Sequence, residues 1–247
     1  MIHRLAEVPS TNDAARDLAR RGAAHGTVVV AEKQTQGRGT KGRPWHSPPG
    51  LGLYASFILR PEDSPVGRSL FPLLPLAVGL AALEAINDTA GVQVRLKWPN
   101  DLVSGKRKVG GILVESVTRG RTPAFAVAGI GINVNHEESD FPEALRESAT
   151  SLRLIAGHQV DKEKLLGHLC RSLASWYNSP GRGRASVIGA YEDRMAFSPG
   201  DRVRLETRGE GLTGIFRGLT PDGGLLVEQE GTDVSIAFAE IRSLDWD

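Results

Sequence analysis

An uncharged apolar stretch from Ser69 to Ala82 limits most strongly how this chain can fold. The stretch is shorter than the roughly 20 apolar residues that cross a bilayer, and Pro72 and Pro75 interrupt it. A helix that is apolar all round must be buried inside a protein core. The sequence therefore predicts a buried helix from Ser69 to Asn87, with prolines in its first turns, and predicts no membrane span.

The composition is that of an ordinary globular protein. Hydrophobic residues make up 40% and charged residues 24%, and 30 Lys+Arg against 29 Asp+Glu leave a net charge of +1. This balance argues against a general nucleic-acid or membrane-surface binder. The single cysteine, Cys170, excludes a disulfide framework and a cysteine zinc site within one chain. No apolar segment follows Met1, so we expect a cytoplasmic protein.

Charge is unevenly divided along the chain. Residues 1–191 carry 24 basic and 17 acidic groups, whereas residues 192–247 carry 6 and 12. The change predicts two domains, residues 1–197 and residues 198–247. In the second, glycine-containing turns separate short strands at the spacing of a small SH3-like β-barrel. The predicted strands are Val203–Thr207, Leu212–Leu219, Leu225–Gln229 and Val234–Phe238.

The larger first domain mixes helices and strands. Ser10 and Asp13 have the spacing of a capping box, which predicts a helix from Thr11 to about Arg21. Further helices are predicted over Asp161–Tyr177 and Ala185–Met195. The predicted strands are Thr27–Glu32, Leu51–Leu59, Val92–Lys97, Val109–Val117 and Ala124–Val134. Strands in runs between helices indicate an α+β class rather than a regular βαβ repeat.

Three segments combine glycines, cations and aromatic residues between these strands. The segment Gln34–Trp45 reads as either a flexible basic loop or an anion-binding loop, and it fits neither common nucleotide-binding glycine motif. The segment Lys97–Glu115 contains turn residues, but these leave Trp98 and Lys108 unexplained. Lys108 enters an apolar strand, so it must point into a cleft or to solvent. Gly129 and Gly131 break the third segment, where another backbone or a flat ligand can approach.

Five motifs in this order resemble those of biotin protein ligases. They are Ser10-Thr11-Asn12, Gly37-Arg38-Gly39 with Gly42-Arg43 and Trp45, Lys97-Trp98-Pro99-Asn100-Asp101, Lys108 with Gly111-Ile112-Leu113-Val114-Glu115, and Gly129-Ile130-Gly131-Ile132-Asn133. The resemblance runs from about residue 4 to the C-terminus. It implies a mixed-sheet α+β catalytic domain shared with lipoate ligases, followed by an SH3-like domain. Only about nine residues precede the first motif, so the resemblance is to the ligase-only form without a DNA-binding domain.

The resemblance also implies a reaction and its partners. Biotin would be activated with Mg-ATP to biotinyl-5′-AMP and then transferred to a lysine of a biotin carboxyl carrier protein. Its cofactors would be ATP and Mg²⁺, its partners would include no DNA and no membrane, and it would be a monomer or a homodimer. Two alternatives are a lipoate or octanoate ligase on the same fold and a non-catalytic biotin or nucleotide sensor. The acidic barrel would either border the ATP site or act as a separate partner-binding module.

By the same resemblance, individual residues receive roles. Lys108 would lie between the biotin carboxyl group and the α-phosphate, Arg38 would hold the carboxylate, and Asp101 would orient or deprotonate the acceptor lysine. Trp45 would either close over biotin or pack in its loop. The catalytic set is Lys108, Arg38 and Asp101. The biotin-binding set is Ser10, Thr11, Asn12, Gln34, Arg38, Gly39, Thr40, Trp45, Lys108, Gly110 and Gly111. The ATP-binding set is Arg38, Lys97, Asn100, Lys108 and Asn133, with Mg²⁺ carried on the ATP phosphates.

Position 40 departs from the pattern and generates a prediction. Many similar ligases have an arginine there that helps to retain the adenylate, and Thr40 cannot supply a charged fork. Either Arg38, Lys41 or Arg43 takes over that role, or the protein releases biotinyl-5′-AMP more readily. In the second case we expect Thr40→Arg to slow the dissociation of biotinyl-5′-AMP, measured by chasing bound adenylate with unlabelled ligand. Identical rates in the parent and the variant would remove position 40 from the explanation.

Overall fold

The computed structural model describes residues 1–120, 122–179, 181–206, 211–238 and 243–247. Within these ranges the α-helices are α1 (Thr11–Arg20), α2 (Gly67–Leu70), α3 (Leu74–Ala90), α4 (Leu152–Ala156), α5 (Lys162–Asn178) and α6 (Arg184–Glu192). The strands are β1 (Ile2–Val8), β2 (Val28–Gln34), β3 (Gly52–Leu59), β4 (Arg95–Lys97), β5 (Asp101–Ser104), β6 (Arg107–Arg119), β7 (Thr122–Asn133), β8 (Arg202–Glu206), β9 (Gly211–Leu219), β10 (Leu225–Gln229), β11 (Thr232–Ile236) and β12 (Ser243–Trp246). The α+β prediction is confirmed.

The first seven strands form one mixed sheet in the order β1-β2-β3-β7-β6-β5-β4. Strands β1 and β2 are parallel, and each of the other neighbouring pairs is antiparallel. Helix α1 packs on one face through Ala15 and Ala19, while α3 belongs to the larger core on the other. All eight residues of β3 are buried, because helices cover both faces of this central strand. An antiparallel strand can therefore be apolar on both faces when helices cover the sheet.

The predicted buried helix is present, but it is divided into successive helical segments. Helix α2 and a 3₁₀ turn over Phe71–Leu73 precede α3, and Gly91, at φ 63°, ends α3 in the left-handed conformation. By length and composition alone the segment Gly67–Ala90 could span a membrane, but 72% of its apolar window is buried inside the protein. The segment has the burial of a core helix.

Several local predictions were wrong or incomplete. Ser10 is the N-cap of α1, but within the described part of the chain its side chain makes no capping hydrogen bond. The Asp13 carboxylate instead binds Arg38 and Arg16, so the predicted capping box does not form. Strands β1, β5 and β12 and the short helix α4 were not predicted. Strand β1 is mostly exposed and β5 is only four residues long, so neither has a strong apolar pattern.

The C-terminal strands form a five-stranded antiparallel sheet in the order β11-β10-β9-β8-β12. This sheet is consistent with the small barrel-like domain that the turn spacing predicted. The predicted strand end at Thr207 lies outside the described residues, as do Gly209 and Glu210 in the glycine-containing turn predicted after it. The final strand β12 pairs with β8 and completes the edge of the sheet.

The two sheets share one hydrophobic cluster. The Trp98 Nε1–H donates to the carbonyl oxygen of Gly223 at 2.9 Å, and the Trp98 ring stacks on Phe238 with centroids 5.3 Å apart. Phe197 contacts Phe216 and Trp246 at centroid distances of 4.9 and 5.6 Å. The division into residues 1–197 and 198–247 stays a prediction, because the apolar packing is continuous across that point.

The buried Trp98 hydrogen bond generates a stability prediction. We expect Trp98→Phe to lower the free energy of unfolding by about 1–3 kcal/mol more than Trp176→Phe, because it leaves the Gly223 carbonyl without its donor. Trp176 is a matched control, since it is also buried and its Nε1 has no hydrogen-bond partner among the described residues. Urea unfolding followed by circular dichroism measures both variants. Equal losses would show that the hydrogen bond contributes nothing to stability.

Candidate active site

A cavity of about 360 Å³ lies over glycines in the two long strands of the mixed sheet. In the β6–β7 register, Leu113 opposes Gly129 and Gly111 opposes Gly131. These residues alternate along their strands, so they face the same side of the sheet. A Cβ atom at Gly129 would lie 2.2 Å from Asn12 Oδ1, and one at Gly131 would lie 2.6 Å from Trp45 Nε1. The missing side chains let Asn12 and Trp45 lie against the strand backbone.

A β-bulge directs Lys108 into this cavity. Leu102 pairs with Gly110 and Val103 pairs with Lys108, so Val109 is the extra residue on β6. A bulge changes the direction of the side chains that follow it. Lys108 consequently lies on the same side as Gly111, where an added Cβ would be 3.2 Å from Lys108 Nζ. Of the two directions expected for Lys108, a cleft or solvent, the structure shows the cleft.

Lys108 is held by a carboxylate and an aromatic ring. Its Nζ lies 2.6 Å from Asp101 Oδ1 and 5.3 Å from the centroid of the Trp45 ring. The Lys108 backbone also bonds to Ser148 and Thr150, which anchors the bulge. The ammonium group is therefore fixed at the cavity wall while about a third of the side chain stays exposed.

Three neutral polar side chains that line the cavity, those of Thr11, Asn12 and Gln34, form a second group, called here the neutral polar group. The Thr11 N–H and hydroxyl both donate to Gln34 Oε1, at 2.9 and 3.1 Å. Asn12 Nδ2 donates to Glu115 Oε2 at 2.7 Å and to the Leu113 carbonyl oxygen at 3.3 Å. Ser56 Oγ lies 2.8 Å from Thr11 Oγ1 and 2.7 Å from Asn12 Oδ1. Because these contacts fix every member, the group presents its remaining donors and acceptors at set positions.

Arg38 lines the cavity and is already paired. Its guanidinium binds Asp13 through two hydrogen bonds of 2.7 and 2.8 Å. The Arg38 hydrogen bond is the largest cause of the lowered pKa of Asp13, so Asp13 is charged at neutral pH. A bound anion would share Arg38 with Asp13 or displace that carboxylate.

The remaining predicted nucleotide residues surround the hairpin β5–β6. Asn100 Nδ2 donates to the Ile112 carbonyl oxygen at 2.8 Å, and Asn133 Nδ2 donates to the Thr150 carbonyl oxygen at 3.0 Å. Both amides thus position the cavity wall as well as lining it. Lys97 is half-buried, and burial lowers the pKa of its ammonium group. An ammonium group in such a position is stabilised by an anion beside it.

Comparison with known proteins agrees with this geometry. Residues 5–133 match the model of the biotin/lipoate A/B protein ligase family, and residues 200–242 match that of the biotin protein ligase C-terminal domain. The biotin–[acetyl-CoA-carboxylase] ligase of Paracoccus denitrificans is 32% identical, over 96% of this chain and 98% of that protein. The bifunctional ligase/repressor BirA of Bacillus subtilis is 36% identical, over 94% and 71%. The chain belongs to the biotin protein ligase family.

A solved structure extends the agreement to the whole chain. Biotin protein ligase from Aquifex aeolicus, solved in complex with biotin and ATP, matches with a TM-score of 0.79 and 33% sequence identity. The match covers 100% of this chain and 99% of that one. Both the mixed sheet and the C-terminal sheet are therefore features shared with a biotin protein ligase.

The structure brings together nearly every residue that the sequence predicted for a biotin protein ligase site. The predicted residues that line the cavity are Ser10, Thr11, Asn12, Gln34, Arg38, Gly39, Thr40, Trp45, Lys97, Asn100, Asp101, Lys108, Gly111 and Asn133. Gly110 does not line it. Neighbouring strand residues face opposite sides, and a Cβ atom on Gly110 would lie 2.9 Å from the Gly131 carbonyl oxygen and 3.0 Å from Leu102. The geometry therefore gives no support to Gly110 as a ligand contact.

Sequence reasoning missed several residues of this ligase site. Ser56 and Glu115 orient Asn12, and Asp13 holds Arg38. Ser56 had a visible signal, since it is a polar residue in the middle of an apolar strand. Asp13 appeared only as a capping residue and Glu115 only as the end of a motif. Neither signal pointed to its partner in the site, because Arg38 and Asn12 are distant in sequence.

A buried histidine lies beside the cavity wall. His136 is fully buried and stacks on Phe141, a cavity-lining residue, with centroids 5.0 Å apart. Burial lowers the pKa of His136 to about 4, with a smaller contribution from His46. Both His136 ring nitrogens have no hydrogen-bond partner among the described residues. His136 is therefore neutral and acts as a packing residue at physiological pH. His46, in the loop before β3, lies with its Nε2 3.0 Å from the Asp140 carbonyl oxygen.

The residues present suit magnesium only as a companion of a phosphate ligand. Among the described residues no cluster of three or more His, Cys, Asp or Glu side chains could hold a metal ion. Hard cations such as Mg²⁺ are often bound by one or two carboxylates plus substrate phosphates. Asp101 and Asn100 are the cavity residues that could supply such oxygen atoms.

The close approach at Gly129 generates a prediction. We expect Gly129→Ala to lower the free energy of unfolding by about 1–3 kcal/mol, because the added methyl group would displace Asn12 from Ser56 and Glu115. Gly189→Ala is the matched control. It lies in α6, where no atom of the described residues is within 4 Å of the added atom, and we expect no loss.

A second variant isolates the contact. Placed in an Asn12→Ala background, Gly129→Ala is expected to cost much less than in the parent, because Oδ1 is gone. Chemical denaturation of the four proteins completes the cycle. An unchanged cost would mean that the methyl group clashes with something other than Asn12.

Proposed function

We propose that this protein is an ATP-dependent biotin–protein ligase. It joins the carboxyl group of biotin to AMP, releases pyrophosphate, and passes biotin to a lysine of a carrier protein. The arrangement that carries the proposal is centred on Lys108, which is paired with Asp101 above the glycines of β6 and β7. The neutral polar group lies on one side of Lys108, and Lys97 and Lys106 lie on the other. Membership of the biotin protein ligase family supports the same reaction.

The first half-reaction brings two anions together. A biotin carboxylate oxygen attacks the α-phosphorus of ATP, the bond to the β-phosphate breaks, and pyrophosphate leaves with its electron pair. Cations placed before the reaction lower the cost of this approach. Lys108 is the group we place between the carboxylate and the α-phosphate, and Arg38 would hold the carboxylate by releasing part of its contact with Asp13.

The second half-reaction needs a neutral amine. The acceptor lysine must lose a proton before its nitrogen attacks the acyl carbon, and AMP then leaves. Asp101 lies in the cavity 2.6 Å from Lys108, where it could take that proton or orient the amine. Lys108 meanwhile would stabilise charge on the departing phosphate.

The neutral polar group favours biotin over lipoate or octanoate. The ureido ring of biotin offers both N–H donors and a carbonyl acceptor, which can pair with Thr11, Gln34 and Asn12. A dithiolane ring or an alkyl chain offers no such partners and would leave the remaining donors and acceptors of these side chains without a ligand partner. A site built for hydrogen bonding rejects a ligand that lacks those groups.

Several finer assignments stay predictions. They are the carboxyl carrier protein as acceptor, Mg²⁺ on the ATP phosphates with help from Asn100 or Asp101, the contact of Asn133 with adenine, the monomeric or homodimeric state, and a cytoplasmic location. Trp45 covers Gly111 and Gly131 in this structure, which supports packing against the cavity floor and leaves closure over biotin as a further prediction.

ATP–pyrophosphate exchange tests the proposal. We expect exchange with biotin and none with lipoate or octanoate offered separately. Lys108→Ala should reduce the exchange rate by about 100-fold or more, because it removes the cation at the reacting atoms. Lys164→Ala, an exposed lysine on α5, is the control and should behave like the parent. Exchange with lipoate instead would correct the substrate, and full activity of Lys108→Ala would overturn the mechanism.

A further inference from the structure

The last strand, β12, contacts two cavity-lining lysines through one aromatic side chain. The Trp246 ring lies beneath two lysine ammonium groups, with Lys97 Nζ 5.2 Å and Lys106 Nζ 5.7 Å from its centroid. Lys106 Nζ also donates to the Trp246 carbonyl oxygen at 2.8 Å. Lys97 and Lys106 line the cavity, whereas Trp246 does not. Trp246 can therefore act on a ligand only through these lysines.

Trp246 is itself firmly placed. It is 9% exposed, packs on Phe197, and pairs with Val203 in the C-terminal sheet. Cations over an indole face are attracted by its π-electrons. The flexible side chains of Lys97 and Lys106 are thus held by a rigid platform that belongs to the other sheet.

Positive charge exceeds negative charge on this side of the cavity. Lys97, Lys106 and Lys108 face the carboxylates of Asp101 and Asp245. Asp101 pairs with Lys108, and Asp245 lies 3.4 Å from Lys106. Among the described charges around Lys97, the two carboxylates leave one of the three ammonium charges uncompensated. A polyanion is the ligand that this surplus would attract.

The order of the strands indicates which part of a nucleotide lies there. Ser56 on β3 contacts the neutral polar group, Gly131 on β7 and Gly111 on β6 lie beside Lys108, and Asp101 on β5 opposes Gly111. Lys97 on β4 pairs with Asp101, one strand further on. Two strand spacings, about 10 Å, separate Lys97 from Gly111. Lys97 is therefore displaced from Lys108 in the direction away from the neutral polar group.

We propose that Trp246 is a positioning residue that holds Lys97 and Lys106 against the β- and γ-phosphates of ATP and the pyrophosphate product. The proposal rests on the proposed function, since it assumes that Lys108 marks the α-phosphate. It assigns the C-terminal sheet a role in binding the leaving group and none in binding the adenylate. Biotinyl-5′-AMP lacks the β- and γ-phosphates, so the two ligands separate this role from a general structural one.

The experiment compares Lys106→Gln, Trp246→Leu and Trp246→Phe with the parent. We expect the first two to raise the KM for ATP and the inhibition constant for pyrophosphate about tenfold, the loss of one charge-assisted contact to a phosphate. Their KM for biotin, their affinity for biotinyl-5′-AMP and the rate of transfer from purified adenylate should stay unchanged. Trp246→Phe keeps an aromatic face and should recover most of the ATP affinity. Combining Lys106→Gln with Trp246→Leu should cost less than the product of the single effects, because both act on Lys106.

Controls distinguish this role from damage to the fold. Trp176→Leu removes another buried indole outside the cavity lining, and Lys164→Gln removes an exposed lysine; both should keep the parental KM for ATP. An unchanged KM for ATP in Trp246→Leu, or an equal loss of affinity for ATP and biotinyl-5′-AMP, would overturn the inference. Failure of the parent to catalyse exchange would instead overturn the proposed function.

Discussion

The site depends on the close approach of side chains to bare strand backbone. Gly129 accommodates Asn12, Gly131 accommodates Trp45, and Gly111 accommodates both Trp45 and Lys108. A side chain at Gly129 or Gly131 would occupy space that the Asn12 amide or the indole now fills. The polar network around Asn12 and the aromatic support for Lys108 follow from these glycines, because neither can form at a greater distance from the sheet.

The positively charged side chains around these glycines come from elements that are far apart in sequence. Arg38 comes from the loop after β2, Lys108 from the bulge in β6, and Lys97 and Lys106 from either side of β5. Each is held by a partner: Asp13 for Arg38, Asp101 for Lys108, and Trp246 for the other two. Pairing keeps the cations near their working positions without a ligand, which limits the reorganisation needed when an anion binds.

The C-terminal sheet is bound into the catalytic part of the molecule at two tryptophans. Trp98 reaches from the mixed sheet to Gly223, and Trp246 reaches back beneath Lys97 and Lys106. These contacts favour a sheet that lies beside the lysines of the cavity over a separate partner-binding module. The opposite net charges of the two chain segments favour the same association.

The sequence by itself determined the α+β class, the buried helix, the small C-terminal β domain and the residue types of the site. These features depend on local periodicity, turn chemistry and motifs that are continuous in the chain. Only the tertiary structure decided that Gly111 rather than Gly110 faces the cavity, that Asp13 holds Arg38 instead of capping α1, and that Trp246 supports Lys97 and Lys106. Those outcomes depend on a one-residue bulge and on contacts between distant segments. Strand register and long-range packing set both, and neither leaves a periodic signal in the sequence.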